Sequence, residues 1–229
     1  MNNRIHIFTG HFGSGKTEVA LNFAIKQAKN QNKVTIIDLD IVNPYFRTKD
    51  AEGVMKQFGV QVAASRFAGS NVDLPIVPSQ VQGIFTDSDR TAVFDVGGDD
   101  DGAFALGQYK EYFETYGYQM HFVVNTKRPM TRCAEDIVEM MDRVEKASRL
   151  HITDMVNNTN LSGDTDETTL FSDWGEIEKA ARIKGVPVSM QSGTKQALAG
   201  LPEKYRSAAF EMACYLKKPW ENKEEVWQR

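Results

Sequence analysis

Residues Gly10-His11-Phe12-Gly13-Ser14-Gly15-Lys16-Thr17 read G-x-x-x-x-G-K-[ST], and they constrain the fold more than any other stretch of the chain. They stand between an apolar run, Ile5-His6-Ile7-Phe8, and a helical pattern that opens with Thr17-Glu18-Val19-Ala20-Leu21. Glycines at these positions let the backbone turn its N–H groups inward around a phosphate, and the helix that follows adds the positive end of its dipole. Lys16 then neutralises β- and γ-phosphate oxygens, and the Thr17 hydroxyl ligates Mg²⁺.

Apolar runs alternate with helical patterns along the rest of the chain. The strands expected are Arg4–Thr9, Lys33–Leu39, Val60–Ala63, Thr91–Asp95, Tyr118–Asn125, His151–Asn157 and Val186–Met190. Several are apolar on both faces, as strands covered by helices on each side must be. The helices expected are Lys16–Asn30, Arg47–Phe58, Ser79–Phe85, Phe104–Tyr116, Thr131–Ser148, Thr168–Lys184 and a last one near Pro202–Leu216. This β-α alternation with short joints implies a doubly wound, mainly parallel sheet with helices on both faces, a three-layer α/β/α architecture. One nucleotide-binding domain is expected over residues 1–216, with a charged tail over 217–229.

At 229 residues, 41% of them hydrophobic, the chain can bury a sizeable core. Its formal net charge of −4 supplies no overall basic field for nucleic acid or an anionic membrane, so neither is an expected partner. Cys133 and Cys214 lie far apart without C-x-x-C spacing, which indicates neither a disulfide framework nor a zinc site and leaves them as small residues on helices. No stretch approaches the about 20 apolar residues of a membrane span, and the amino end lacks a signal-peptide pattern, so the compartment expected is the cytoplasm.

In a doubly wound sheet, ligands gather at the carboxyl ends of the strands. The second strand ends Ile36-Ile37-Asp38-Leu39-Asp40, and the fourth ends Val93-Phe94-Asp95-Val96-Gly97-Gly98. An acid there can hold Mg²⁺ through water or position an attacking water. Asp95–Gly98 also has the D-x-x-G form, in which a glycine N–H senses the γ-phosphate. Asp99, Asp100 and Asp101 read as an acidic turn capping the next helix. The fifth and sixth strands end in Asn125-Thr126-Lys127-Arg128 and Asn157-Asn158-Thr159-Asn160, whose amides suit a purine edge. No N-K-x-D sequence offers an Asp to guanine, so adenine is the expected base. The segment Phe67–Pro78 reads as a loop near the nucleotide edge of the sheet.

Taken in order, the phosphate loop, Asp38-Leu39-Asp40, the D-x-x-G and an asparagine after the sixth strand resemble the CobQ/CobB/MinD/ParA group of P-loop ATPases over Arg4 to Met190. The resemblance implies that the phosphate-loop and D-x-x-G strands are neighbours. It also implies Mg-ATP as ligand and a nucleotide-controlled switch, often a dimer. Carried onto this chain, it puts Gly13, Ser14, Gly15, Lys16 and Thr17 on the phosphates, in the nucleotide-binding loop that Gly10, His11 and Phe12 open. It puts Asp38 and Asp40 at the Mg²⁺ and the hydrolytic water, Asp95 behind the metal's waters, and Asn157, with Asn158 beside it, at the adenine. Lys16 and Asp40 would carry the catalysis, and Thr17, Asp38 and Asp95 the metal. Many members place a second lysine directly after the first glycine of the loop. Here that place is His11, shorter and only partly charged near neutral pH, so slow basal turnover completed by a protein partner is expected.

Three functions follow. The first is slow ATP hydrolysis that controls a partner or the chain's own dimerisation. The second is a biosynthetic enzyme of the same fold, an amidoligase or small-molecule kinase, with an acceptor pocket lined from Arg47, Lys49, Arg66, Lys127 and Arg128. The third is an ATP-sensing module without turnover.

Overall fold

The computed structural model describes residues 4–30, 32–39, 48–64, 79–98 and 100–216. Its strands are β1 (Ile5–Thr9), β2 (Lys33–Leu39), β3 (Val60–Ala64), β4 (Arg90–Val96), β5 (Gln119–Val124), β6 (Asp154–Asn157), β7 (Val188–Gly193) and β8 (Ala209–Glu211). Its helices are α1 (Lys16–Lys29), α2 (Thr48–Gln57), α3 (Ser79–Thr86), α4 (Asp100–Gly107), α5 (Lys110–Tyr116), α6 (Ala134–Ser148), α7 (Trp174–Lys184) and α8 (Lys195–Ala199). The strands form one sheet in the order β3-β2-β4-β1-β5-β6-β7-β8, every neighbouring pair parallel. The chain leaves β1 for β2 and β3 on one side, returns to β4 beside β1, and then continues outward from β5 on the other side. That reversal opens the crevice in which doubly wound sheets bind ligands.

Successive residues of each strand feed opposite layers, which is why these strands read as unbroken apolar runs. Ile5, Ile7, Ile37, Phe94, Phe122 and Met155 pack under Phe85, Leu106, Phe113, Ile137 and Ile177 of α3 to α7. Phe8, Ile36, Val93, Val123 and Val156 pack on the other face under Val19, Ala20 and Phe23 of α1 and Ala51 and Met55 of α2. No helix of the described residues is long and apolar enough to cross a membrane.

The last expected helix, near Pro202–Leu216, is not one. Residues Glu203–Ala208 form a 3-10 turn and Ala209–Glu211 form β8, which pairs with Gln191, Ser192 and Gly193. Phe210 and Met212 alternate onto the α1 layer, a period of two that the surrounding alanines disguise as helical. Cys214 therefore lies outside any helix and is exposed. The expected helix Phe104–Tyr116 divides into α4 and α5 because Gly107 is pressed against the end of α6. A Cβ there would meet the Ser148 carbonyl at 3.0 Å, and Arg149 Nη2 donates to the Gly107 carbonyl at 2.8 Å. The expected Thr131–Ser148 and Thr168–Lys184 each resolve into a short 3-10 turn followed by a helix that starts three to six residues later. The seventh strand runs on to Gly193 because β8 pairs with its second half, and α8, capped by Thr194 accepting from the Ala197 N–H, follows it. The expected loop Phe67–Pro78 and the tail 217–229 lie outside the described residues.

A line of polar side chains crosses the sheet beneath α1. His6 Nδ1 of β1 lies 3.1 Å from His121 Nε2 of β5, and His121 Nδ1 lies 2.7 Å from Asp154 Oδ1 of β6. Asp154 also accepts from the hydroxyls of Ser189 and Thr153. All three of His6, His121 and Asp154 are buried. Removing the acceptor strands several buried donors at once, so Asp154→Ala is expected to lower unfolding free energy by about 3 kcal/mol. Urea denaturation checks this, and a loss below about 1 kcal/mol would show the line to be dispensable.

Candidate functional site

Residues 10–15 arch from the end of β1 to the start of α1, held from three sides. Gly10 abuts the Val123 carbonyl of β5, and Gly98, the last residue of the D-x-x-G, abuts the loop backbone so closely that a Cβ would lie 2.6 Å from the Phe12 nitrogen. Gly15 caps α1 in the left-handed region (φ 87°, ψ 16°), where a side chain is strained and would also run into the Asn158 amide. Arg128 Nε donates to the Gly13 carbonyl at 3.0 Å and Asn158 Nδ2 donates to the Ser14 carbonyl at 2.8 Å.

The polar atoms inside this arch fit an anion and a cation. Lys16 is 2% exposed and forms no ion pair with any described residue. Ser14 Oγ and Thr9 Oγ1 are buried without a hydrogen-bond partner among the described residues. An ammonium so enclosed calls for a negative ligand. Asp38 and Asp95 sit in register on the adjacent strands β2 and β4, 8% and 4% exposed, and Thr17 is buried nearby at the head of α1. Two buried carboxylates at the same level of the sheet suit a divalent cation that keeps several waters. Among the described residues no cluster of three His, Cys, Asp or Glu side chains could hold a metal by itself, so phosphate oxygens and water would complete the shell. Asp40 and Asp99 lie outside the described residues, and α4 begins at Asp100.

His11 is held below its usual pKa, first by partial burial and then by the positive charges of Arg143 and Lys16. Both influences disfavour its charged form, which weakens it as a second cation. Phe12 is 57% exposed on the outer lip of the loop.

The asparagines after β5 and β6 form a scaffold. Asn157 is fully buried, its Nδ2 donating to the Leu170 carbonyl and to Gln191 Oε1, its Oδ1 accepting from the Thr159 N–H. Asn158 joins the Ser14 carbonyl to Ser192, whose Oγ donates to Asn158 Oδ1 at 3.0 Å. Asn125 accepts from the N–H groups of Lys127 and Asn160 and donates to the Asn160 carbonyl. Of the cations considered for an acceptor pocket, Lys127 is paired with Asp173 at 2.8 Å and Arg128 holds the loop, while Arg47, Arg66 and the Lys49 side chain lie outside the described residues.

One connection on α1 has no signature in the sequence. Asn22 bonds both the N–H and the carbonyl of Ala213, each at 2.9 Å, and Glu18 accepts from the N–H groups of Tyr215 and Leu216. The first turns of the helix that begins at Lys16 thus grip the segment after β8. Burial is the main influence on Glu18 and raises its pKa, against the opposing pull of the two backbone donors. A carboxyl raised on folding gives stability that is present at low pH and is lost as pH rises through its folded pKa. The stability of the parent relative to Glu18→Gln is therefore expected to fall as pH rises through the carboxylate range, and paired thermal melts across that range check it.

The sheet order, the glycine-lined arch and the enclosed lysine define a three-layer α/β/α fold of the P-loop nucleotide-binding kind. Among solved structures, the chain is similar to the cell division protein FtsY of Thermotoga maritima, with a TM-score of 0.57 and 12% identity over 81% of this chain and 60% of that one. It is also similar to the signal recognition particle receptor FtsY of Elizabethkingia anophelis in complex with GDP (TM-score 0.54, 14% identity, 81% of this chain, 55% of that one). A third is the signal recognition particle 54 kDa protein of Aeropyrum pernix in complex with GDP (TM-score 0.53, 18% identity, 80% and 40%). The chain thus spans 60% or less of the length of these three neighbours, and at such identities the likeness shows the fold. No family model matches the sequence, and no curated protein matches it. Two of these three are a signal recognition particle receptor and a signal recognition particle protein, and the narrower likeness to the CobQ/CobB/MinD/ParA group rests on the sequence motifs.

Proposed function

We propose that this chain binds Mg-ATP in the Gly10–Thr17 arch and hydrolyses it slowly, using the bound state to control a protein partner or its own dimerisation. The observation that carries the reading is Lys16, an enclosed ammonium with no ion pair among the described residues, at the mouth of a loop beside two in-register carboxylates. Lys16 would meet β- and γ-phosphate oxygens. Thr17 and Asp38 would hold Mg²⁺ with Asp95 behind it, and Asp40 would orient the attacking water. Mg²⁺ supplies charge neutralisation on the phosphates; what the chain supplies is position and exclusion of bulk water. Asn157 and Asn158 hold the loops on the base side. A histidine at position 11 whose charged form is disfavoured supports slow basal turnover, since it is a weaker second cation than a lysine.

ATP is favoured by the segment after β6, Asn157-Asn158-Thr159-Asn160, which offers no carboxylate to guanine. GTP is the second reading, because two of the similar structures hold GDP. The experiment is phosphate release from Mg-ATP and Mg-GTP, with oligomer size recorded in each nucleotide state. Release from ATP at least about tenfold faster than from GTP at equal concentration is expected. The reverse preference would move the site to guanine, and release that depends on an added small acceptor would move the chain to the biosynthetic enzymes.

A further inference from the structure

Two of the contacts that hold the arch fall on consecutive peptide units. In a trans peptide the C=O and the N–H point to opposite sides. Arg128 Nε–H takes the Gly13 carbonyl, so the N–H of that same peptide, belonging to Ser14, points away from Arg128. Asn158 Nδ2–H takes the Ser14 carbonyl, so the Gly15 N–H points away from Asn158 in the same way. The Ser14 N–H already points across the arch to the His11 carbonyl, 3.0 Å away, a bond for which an anion in the arch competes.

Both props are fixed at their own bases. Asn158 is buried and receives the Ser192 hydroxyl from the end of β7. Arg128 stands on a tight turn: its N–H donates to the Asn125 carbonyl at 3.1 Å, and its own carbonyl accepts from the Thr131 N–H at 3.2 Å. The Arg128 stem lies against the loop so closely that a Cβ on Gly13 would meet its Nε at 3.2 Å.

We propose that Arg128, acting together with Asn158, is a positioning residue that presets the Ser14 and Gly15 N–H groups toward the phosphate chain. This rests on the reading of Gly10–Thr17 as a triphosphate site. Phosphate affinity in this chain then depends on the loops after β5 and β6 as well as on the arch. The Gly15 N–H then meets an anion without first reorganising, and the Ser14 N–H has only to exchange the His11 carbonyl for a phosphate oxygen, which is the source of the gain.

The test is titration calorimetry of the full chain with Mg-tripolyphosphate, Mg-ATP and Mg-GTP at low and high ionic strength. Arg128→Met keeps the stem and removes the donors, and Arg128→Lys keeps the charge and moves it; circular dichroism checks that each is folded. Arg128→Met is expected to weaken tripolyphosphate and both nucleotides alike, by about tenfold, with the ATP-to-GTP ratio unchanged and the loss persisting at high salt. Arg128→Lys, which cannot reproduce the Nε geometry, is expected to lose about threefold or more, and this comparison decides the matter should Arg128→Met not fold. Unchanged tripolyphosphate affinity overturns the proposal, as does a loss confined to one nucleotide, which would make Arg128 a base contact. A loss that vanishes at high salt also overturns it, because simple charge attraction would then account for the effect. A parent that binds neither tripolyphosphate nor nucleotide overturns the triphosphate site itself, a result distinct from the other three.

Discussion

Lys16→Ala is expected to lower affinity for Mg-ATP by at least about a hundredfold while leaving the fold intact. Each hydrogen bond from a charged donor to a buried acceptor contributes about 1.5 to 3 kcal/mol, and an ammonium bridging two phosphate oxygens makes two, so about 3 kcal/mol or more is lost. The fold is spared because Lys16 forms no ion pair with a described residue, so no carboxylate is stranded by its removal. Removing an enclosed ammonium that no described carboxylate pairs is expected to leave the melting temperature unchanged or raise it. Calorimetry with Mg-ATP and a thermal melt on the same sample measure both. Parent-like affinity in the variant would take Lys16 out of the site.

The second large effect is expected from Asp40→Ala. Orientation of the attacking water matters in the transition state and little in the ground state, so hydrolysis should fall by about two orders of magnitude while affinity for Mg-ATP stays within about threefold. Asp38→Ala should behave differently. Asp38 is buried in register with Asp95, at the level where the metal would sit, so its loss should weaken Mg²⁺-dependent binding first and turnover in consequence. Single-turnover phosphate release and magnesium titrations, run side by side on the two variants, separate the roles. Equal turnover in Asp40→Ala and the parent would remove Asp40 from the mechanism.

What the sequence announces and what it hides divide along the range of the interactions. The arch is announced because its chemistry is local: glycines, lysine and threonine must follow one another at fixed spacing between a strand and a helix. That β1 and β4 are neighbours is what the resemblance implies, whereas the register that sets Asp38 beside Asp95 shows only in the structure, because apolarity on both faces fixes neither a strand's partner nor its offset. β8 is hidden because its alternation, Phe210 and then Met212, is too short to stand out among the alanines around it. Its strand character comes from the free edge of β7 and from Asn22 and Glu18 on a helix nearly two hundred positions away in sequence.

The asparagines are a subtler case. Their clustering after β5 and β6 marks the site side of the sheet, yet one residue type serves turns, loop props and base edges with the same amide. Only tertiary distance shows Asn158 under the Ser14 carbonyl and Asn157 bound to Leu170 and Gln191. Arg128 lies 115 positions from Gly13, and in the sequence it is indistinguishable from a solvated surface charge. The break at Gly107 was hidden for the same reason, since what interrupts the helix is the end of α6.

A crystal grown with Mg²⁺ and a non-hydrolysable ATP analogue tests the central claim most directly. The result expected is a triphosphate inside residues 10–17, with Lys16 Nζ on its β- and γ-oxygens and a magnesium ion between Thr17 and Asp38. A loop without ligand at saturating analogue, or a Lys16 ammonium turned away from the phosphates, would contradict it.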